Sequence, residues 1–170
     1  MDLSQVIRNV ADFPSKGILF RDVTPLLARP EALREACERM VAPFRDARID
    51  RVLAIESRGF LFGAPMALML GAGFVPLRKP GKLPCATLRE AYTLEYGEAA
   101  LEVHADAVAP GQRVLLVDDV LATGGTLAAA GSLARRLGAE VAGAAVLIEL
   151  EGLRGRARLP GLRVESVLRY

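Results

Sequence analysis

The sequence predicts an α/β fold, a doubly wound and mainly parallel sheet. Three observations carry that prediction. Residues 52–55, 114–117 and 141–150 are apolar runs without polar alternation, as strands buried on both faces of a parallel sheet read. Helical segments over residues 30–44, 60–70 and 127–137 alternate with them, the order of crossover connections. The first two runs also end in polar, glycine-containing turns directly ahead of a helix, which is where open α/β sheets bind ligands. A length of 170 residues suits one domain with a proper core and is short for two.

From the N-terminus, residues 4–10 are expected to form a short amphipathic helix with Ser4 as its cap. Over residues 12–27 the spacing of Pro14, Gly17 and Pro25 forbids a continuous helix and frames an extended piece at 18–21. Taken alone, that segment reads equally well as packing. In the helix over 30–44, Ala32, Leu33, Ala36, Met40 and Val41 make an apolar face against mixed charges. The strand over 52–55 runs into Glu56-Ser57-Arg58-Gly59. An arginine beside free backbone N–H groups suits pyrophosphate through bidentate contacts, with a plain surface arginine as the alternative. Residues 59–77 carry no charge and have the length of a membrane span. Pro65, Gly71-Ala72-Gly73 and Pro76 interrupt them, so helix, turn and a strand over 74–77 is the better reading.

A basic run follows, Arg78-Lys79-Pro80-Gly81-Lys82-Leu83-Pro84, stiffened by prolines. Residues 87–94 and 99–103 read as arms of a hairpin joined through Glu95-Tyr96-Gly97-Glu98. Such a hairpin can close over a site and keep water from a reactive intermediate. His104, the single histidine, is read as a surface or packing residue, since no nucleophile or metal partner accompanies it. Residues 162–168 alternate as an edge strand does, and 151–160 form a basic connection.

The central stretch is Val114 to Thr126, where the apolar run meets Asp118 and Asp119 and then Ala122-Thr123-Gly124-Gly125-Thr126. Glycines let a backbone approach a ligand, N–H groups at a helix start favour negative charge, and threonine hydroxyls add donors, so residues 122–126 read as an anion cradle. The loop has no lysine and no Gly-x-Gly-x-x-Gly, which separates it from the ATP-binding and dinucleotide-binding loops. Two acids beside a phosphate cradle would repel the ligand unless it carries hydroxyls near its phosphate; ionised carboxylates accept the hydrogen bonds that a sugar diol donates. A ribose 5-phosphate fits. Adjacent strand residues point to opposite faces, so one acid is expected at the diol and the other at water or metal. An ordinary strand, turn and helix start is the alternative.

Composition bounds the partners. The chain is 52% hydrophobic with no tryptophan, and its net charge of +2 is too small to imply nucleic acid. The arginines Arg154, Arg156, Arg158, Arg163 and Arg169 are expected on a solvated face. Cys37 and Cys85 belong to no Cys-x-x-Cys pair, which argues against a metal site or disulfide framework and for the cytoplasm. The N-terminus lacks an apolar core of signal-peptide length, and no membrane partner is expected.

Phe13-Pro14 through Phe20-Arg21-Asp22, Glu56-Ser57-Arg58-Gly59-Phe60, the basic run 78–84, Leu94-Glu95-Tyr96-Gly97 and the central stretch together resemble the adenine phosphoribosyltransferases, of the type I phosphoribosyltransferase fold. The resemblance covers nearly the whole chain; Lys16 departs from it, standing where a proline is more usual. It implies a single domain over 1–170 with a hood from about residue 1 to 28 and a flexible lid over about 80–104. It also implies a non-proline cis peptide at Glu56–Ser57 and a homodimer, the basic run lying near the pyrophosphate. The implied reaction joins adenine to phosphoribosyl pyrophosphate and releases AMP and pyrophosphate. The roles carried over are ribose binding by Asp118 and Asp119, 5-phosphate binding by Ala122, Thr123, Gly124, Gly125 and Thr126, and pyrophosphate binding by Ser57, Arg58, Arg78 and Lys79. Leu19, Phe20 and Arg21 would form the adenine wall, with backbone groups reading the amino edge, and Glu95 would be the catalytic proton-transfer group. Mg²⁺ is expected to arrive on the phosphates without a direct protein ligand, Asp118 or Asp119 reaching it through water. An oxopurine phosphoribosyltransferase is the alternative within the class, and a nucleotide-sensing regulator of the same fold the alternative outside it.

Overall fold

The structure, a computed structural model, describes residues 1–93 and 98–170. The chain begins with a 3-10 turn at Leu3–Val6 and not with the helix expected over 4–10. Asp2 is the cap, its carboxylate accepting from the Ser4 amide at 3.0 Å and the Ser4 hydroxyl at 2.7 Å. One turn suffices to bury Leu3 and Val6. Strand β1 (Arg8–Ala11) then pairs antiparallel with β2 (Leu19–Asp22), Arg8 opposite Asp22, so a hairpin ladder takes the backbone groups that a longer helix would have used. The Phe13–Pro14 peptide is cis.

After a single helical turn, α1 (Thr24–Leu27), comes α2 (Pro30–Val41), continued by a 3-10 turn at Ala42–Phe44. Its buried face is Ala32, Ala36, Cys37, Met40 and Val41. Burial pushes the Cys37 thiol up to about 11, with Glu38 adding to the shift, so it packs as a small apolar residue. Strand β3 (Arg51–Ile55), helix α3 (Gly59–Leu70) and strand β4 (Gly73–Leu77) form the first crossover. Pro65 does not interrupt the chain; α3 runs through it and ends at Gly71 in the left-handed region, φ 63°. The proline deprives the Leu61 carbonyl of its usual donor, and Leu61 is 47% exposed.

Strands β5 (Thr87–Thr93) and β6 (Glu98–His104) form the expected antiparallel hairpin. Strand β7 (Arg113–Leu121), helix α4 (Gly125–Arg136) and strand β8 (Glu140–Glu149) make the second crossover. Two 3-10 turns, Glu151–Leu153 and Gly155–Arg158, lead to β9 (Val164–Arg169). The main sheet has the order β4-β3-β7-β8-β9, and every pair in it is parallel.

Successive residues of β3 face opposite layers, as the period of a strand requires. Val52 and Ala54 pack with α2 and α3, while Leu53 and Ile55 pack with α4 and the β5–β6 hairpin. The sheet is therefore covered on both sides, and its carboxyl edge is left for the hood formed by β1 and β2. Two glycines bring α3 against the sheet. A Cβ at Gly63 would collide with that of Ala54, and one at Gly59 would stand 2.9 Å from the Val117 carbonyl oxygen and 3.2 Å from Asp118 Oδ1.

Candidate active site

The carboxyl ends of β3, β7 and β8 open into a cleft of about 470 Å³, lined by Ile18–Arg21 of the hood, Ile55–Arg58, Lys79, Tyr92, Asp118–Val120, Ala122, Thr126 and Leu150. The close seat of Gly59 on β7 places the start of α3 directly against the acid pair. The turn at 56–58 and the acids are thereby held on one wall, although more than fifty residues separate them in the sequence.

β7 continues through both acids to Leu121. Asp118 and Asp119 are 8% and 5% exposed, which is costly for carboxylates unless each finds a partner. Asp119 has one: the Arg58 Nε hydrogen-bonds its carboxylate. Asp118 accepts the Asp119 backbone amide at 2.9 Å. Burial, and then the charge of Asp119, push the Asp118 carboxyl well above its usual range. One acid is thus paired with an arginine and the other shifted toward its protonated form, and both effects reduce the repulsion that an incoming phosphate would meet.

Arg58 also reaches the hood. Its guanidinium carbon lies 5.5 Å from the Phe20 ring, which packs edge-on to Phe13 with centroids 5.1 Å apart. Ile18 and Leu19, 46% and 48% exposed, give this wall its apolar character. Arg21 lines the cleft as well, while its guanidinium is committed to Asn9 and lies 3.9 Å over the Tyr170 ring.

The Glu56–Ser57 peptide is cis, as expected. Ser57 and Arg58 line the cleft, and so does Lys79. Arg78 is turned elsewhere, its guanidinium bonding Glu56 at 3.2 and 3.3 Å and the Lys82 carbonyl at 3.3 Å. Glu56 accepts the Lys79 amide at 2.9 Å. Burial by itself would raise the Glu56 carboxyl; the Lys79 amide and the Arg78 guanidinium outweigh it and hold the group below its usual range. Glu56 thus ties the start of the basic run to the 56–58 turn, a role that the sequence did not suggest.

Of residues 122–126, Ala122 and Thr126 face the cleft. Gly124 adopts φ 85° ahead of α4, and Gly125 faces the adjoining groove beside Arg158. Thr123 and Gly124 complete the turn whose N–H groups, with those of the first turn of α4, have no intrahelical acceptor. Sequence reasoning missed Ile18, Ile55, Glu56, Tyr92, Val120 and Leu150 in the lining. Ile18, Glu56 and Val120 left a signal, their places within the hood segment, the 56–59 motif and the central stretch. Glu95 lies outside the described residues. His104 is a packing residue, its Nε2 2.8 Å from the Pro84 carbonyl oxygen. Among the described residues no helix is long and apolar enough to cross a membrane, and no three His, Cys, Asp or Glu side chains gather to hold a metal ion.

This geometry has counterparts. Residues 24–161 match the model of the phosphoribosyl transferase domain family. The adenine phosphoribosyltransferase of Anaeromyxobacter dehalogenans is 56% identical over 96% of this chain and 95% of its own. The crystal structure of adenine phosphoribosyltransferase from Rhodothermus marinus superposes with a TM-score of 0.94 at 54% identity, covering 99% of this chain and 96% of that one. The Saccharomyces cerevisiae enzyme, solved with an imino-altritol bisphosphate and adenine, gives a TM-score of 0.94 at 38% identity over 98% of this chain and 97% of its own. A match that extends over hood, sheet and hairpin alike, at these identities, places the chain in the adenine phosphoribosyltransferase family.

Proposed function

We propose that this chain transfers the 5-phosphoribosyl group of phosphoribosyl pyrophosphate to adenine, giving AMP and pyrophosphate in a purine-salvage step. The observation that carries the reading is the single cleft in which two adjacent acids, one paired with arginine, a free-ended anion loop and an arginine-bearing turn lie under an apolar hood. Those are the chemistries of a sugar diol, a 5-phosphate, a pyrophosphate and a purine. That the yeast relative was solved with a bisphosphate and adenine supports the same pairing here.

In this mechanism the bond from the anomeric carbon to pyrophosphate oxygen breaks as the bond to the purine nitrogen forms, with positive charge developing on the sugar. Positioning and electrostatics dominate. Residues 122–126 hold the 5-phosphate and Asp118 and Asp119 the ribose hydroxyls. Arg58 leaves Asp119 for the departing pyrophosphate, where Ser57, Lys79 and, after turning from Glu56, Arg78 join it. Leu19, Phe20 and Arg21 hold adenine, and Glu95 takes the proton displaced from the purine. Mg²⁺ when bound would neutralise pyrophosphate oxygens; two carboxylates, one already paired with arginine, suit an ion carried in on the substrate and approached through water.

All 170 residues work as one domain in this reading, residues 1–28 as hood and 80–104 as lid. The two unpaired thiols support a cytoplasmic location. A homodimer is supported by the outer surface of α3 and β4, where Leu68 is 84% exposed and Leu61, Met69 and Phe74 are also uncovered; Leu68→Glu should yield a monomer by light scattering. The deciding experiment offers adenine, hypoxanthine, guanine and xanthine in parallel with phosphoribosyl pyrophosphate and Mg²⁺. AMP from adenine alone, lost in Arg58→Ala, is the expected result. Turnover of an oxopurine would overturn the assignment of the hood, and no turnover with any base would overturn the enzyme.

A further inference from the structure

Behind the 122–126 loop lies a second set of contacts to which the reaction assigns nothing. Glu149, the last residue of β8, is 6% exposed. Its carboxylate takes a two-pronged contact from Arg156, Nε at 2.6 Å and Nη2 at 2.7 Å, and a third from the Ser166 hydroxyl at 2.7 Å. Arg156 uses its remaining Nη1 on the Val164 carbonyl at 2.9 Å. The Arg156 guanidinium, then Ser166 and Arg169, hold the Glu149 carboxyl below its usual range despite its burial. A planar fork satisfied on both prongs fixes orientation as well as charge. What it fixes is the 3-10 turn Gly155–Arg158.

That turn sits backbone to backbone against the loop. A Cβ on Gly124 would collide with the Gly155 carbonyl oxygen and lie 3.3 Å from Arg158 Cβ. A Cβ on Gly155 would collide with the Ala122 carbonyl oxygen and stand 3.1 Å from the Gly124 amide nitrogen. The loop itself is two glycines and three small residues, with no side chain long enough to brace it from within.

We propose that Glu149 and Arg156 are positioning residues for the 5-phosphate, acting through Gly155, which forms the back wall that gives residues 122–126 their shape. The inference rests on the reading of that loop as the 5-phosphate site. It predicts a selective defect: ribose 5-phosphate suffers, while pyrophosphate, held by the 56–58 turn across the cleft, does not.

The test is calorimetric titration with ribose 5-phosphate and, separately, with pyrophosphate. Arg156→Met, Glu149→Gln and Gly155→Ala are compared with the unaltered protein at a temperature where melting curves show each folded. Arg169→Ala is the control, since that side chain lies 3.7 Å from the same carboxylate without belonging to the turn. Misplacing a binding loop by about 1 Å costs roughly 10- to 100-fold, so ribose 5-phosphate should weaken by that factor in the three variants while pyrophosphate stays within about twofold. Arg156→Lys, which keeps the charge and loses the fork, should fall between, and Arg169→Ala should bind both ligands normally. Gly155→Ala leaves the ion pair untouched, so it tests the wall even if the charge variants do not fold. Equal loss of both ligands, or normal ribose 5-phosphate binding by folded Gly155→Ala, would overturn the inference. Failure of the unaltered protein to bind ribose 5-phosphate would instead overturn the reading of the loop, and the inference with it.

Discussion

Asp119→Asn should move two ligands in opposite directions. In the free protein Asp119 holds the Nε of Arg58, the group proposed for pyrophosphate, so pyrophosphate competes with that pair as it binds. The arginine side chain is 45% exposed and the aspartate 7%, an ion pair wet on one side. Such pairs are worth roughly 0.5–1 kcal/mol, and at 1.4 kcal/mol per tenfold their removal should tighten pyrophosphate binding by about two- to fivefold. The ribose side loses instead. A hydrogen bond from a sugar hydroxyl to a charged acceptor contributes about 1.5–3 kcal/mol, so ribose 5-phosphate should weaken by roughly 10- to 150-fold if Asp119 holds the diol. Both affinities are read by calorimetry at one fixed Mg²⁺ concentration. Weaker pyrophosphate binding in the variant would refute the reasoning, because it would mean that Asp119 helps to hold the leaving group and does not restrain Arg58.

Three further outcomes follow from the same geometry. Unfolded Asp118 ionises near 3.8, whereas the folded carboxyl keeps its proton to higher pH; the native state binds more protons, so this group's contribution to stability falls as pH rises through that window. Asp118→Asn should therefore be more stable than the parent at neutral pH, the gain shrinking toward acid in urea denaturation, and an equal or lower stability at pH 7 would exclude it. Gly124→Ala places an L residue at φ 85° with its Cβ on the Gly155 carbonyl; the backbone alone costs roughly 1–2 kcal/mol, and ribose 5-phosphate titration should show binding lost, whereas unaltered affinity would show the loop to be pliable. Gly63→Ala overpacks α3 on β3 at Ala54, 3.2 Å from the Phe74 ring, for about 1–3 kcal/mol. In a chain of this size the melting temperature should fall by roughly 2–12 °C, and an unchanged value would mean that the helix shifts freely.

Much of the fold was legible because the central strands have no polar face to misread. The expected 52–55 and 141–150 became Arg51–Ile55 and Glu140–Glu149. The errors arose where local pattern and tertiary pairing disagree. Residues 4–10 carry a helical pattern, but the ladder with β2, fastened by Arg8 to Asp22 at 2.6 Å, claims their second half. Pro65 did not mislead, because the helix expected over 60–70 already ran through it, as α3 does. The arginines after 150 were expected on a solvated face, and all five are exposed; what the pattern did not show is that Arg156, 42% exposed, also pairs with Glu149, at a strand end seven residues earlier. Sequence composition registers such a charge but not the buried acid waiting for it.

The motifs at 56–59 and 118–126 were legible for a related reason: each occupies the end of one strand and the start of one helix, so its chemistry is local in sequence. What makes them one site is not local. Gly59 is needed at the end of one motif because Asp118 of another lies beneath it, and Gly124 is needed because Gly155, outside every motif, lies behind it. The charge problem is solved in the same way. Two adjacent acids look hostile to a phosphate when read along the chain; the repulsion is reduced because Arg58 arrives from the neighbouring strand and burial raises the Asp118 carboxyl. The same pairing gives binding an order of preference. With Asp119 at the diol and Arg58 at the pyrophosphate, as proposed, a ligand that carries both groups would replace the Arg58–Asp119 contact with a partner for each, whereas pyrophosphate alone would leave Asp119 buried without its arginine. On that proposal the cleft would favour the intact phosphoribosyl pyrophosphate over the lone leaving group, a preference that Asp119→Asn should diminish.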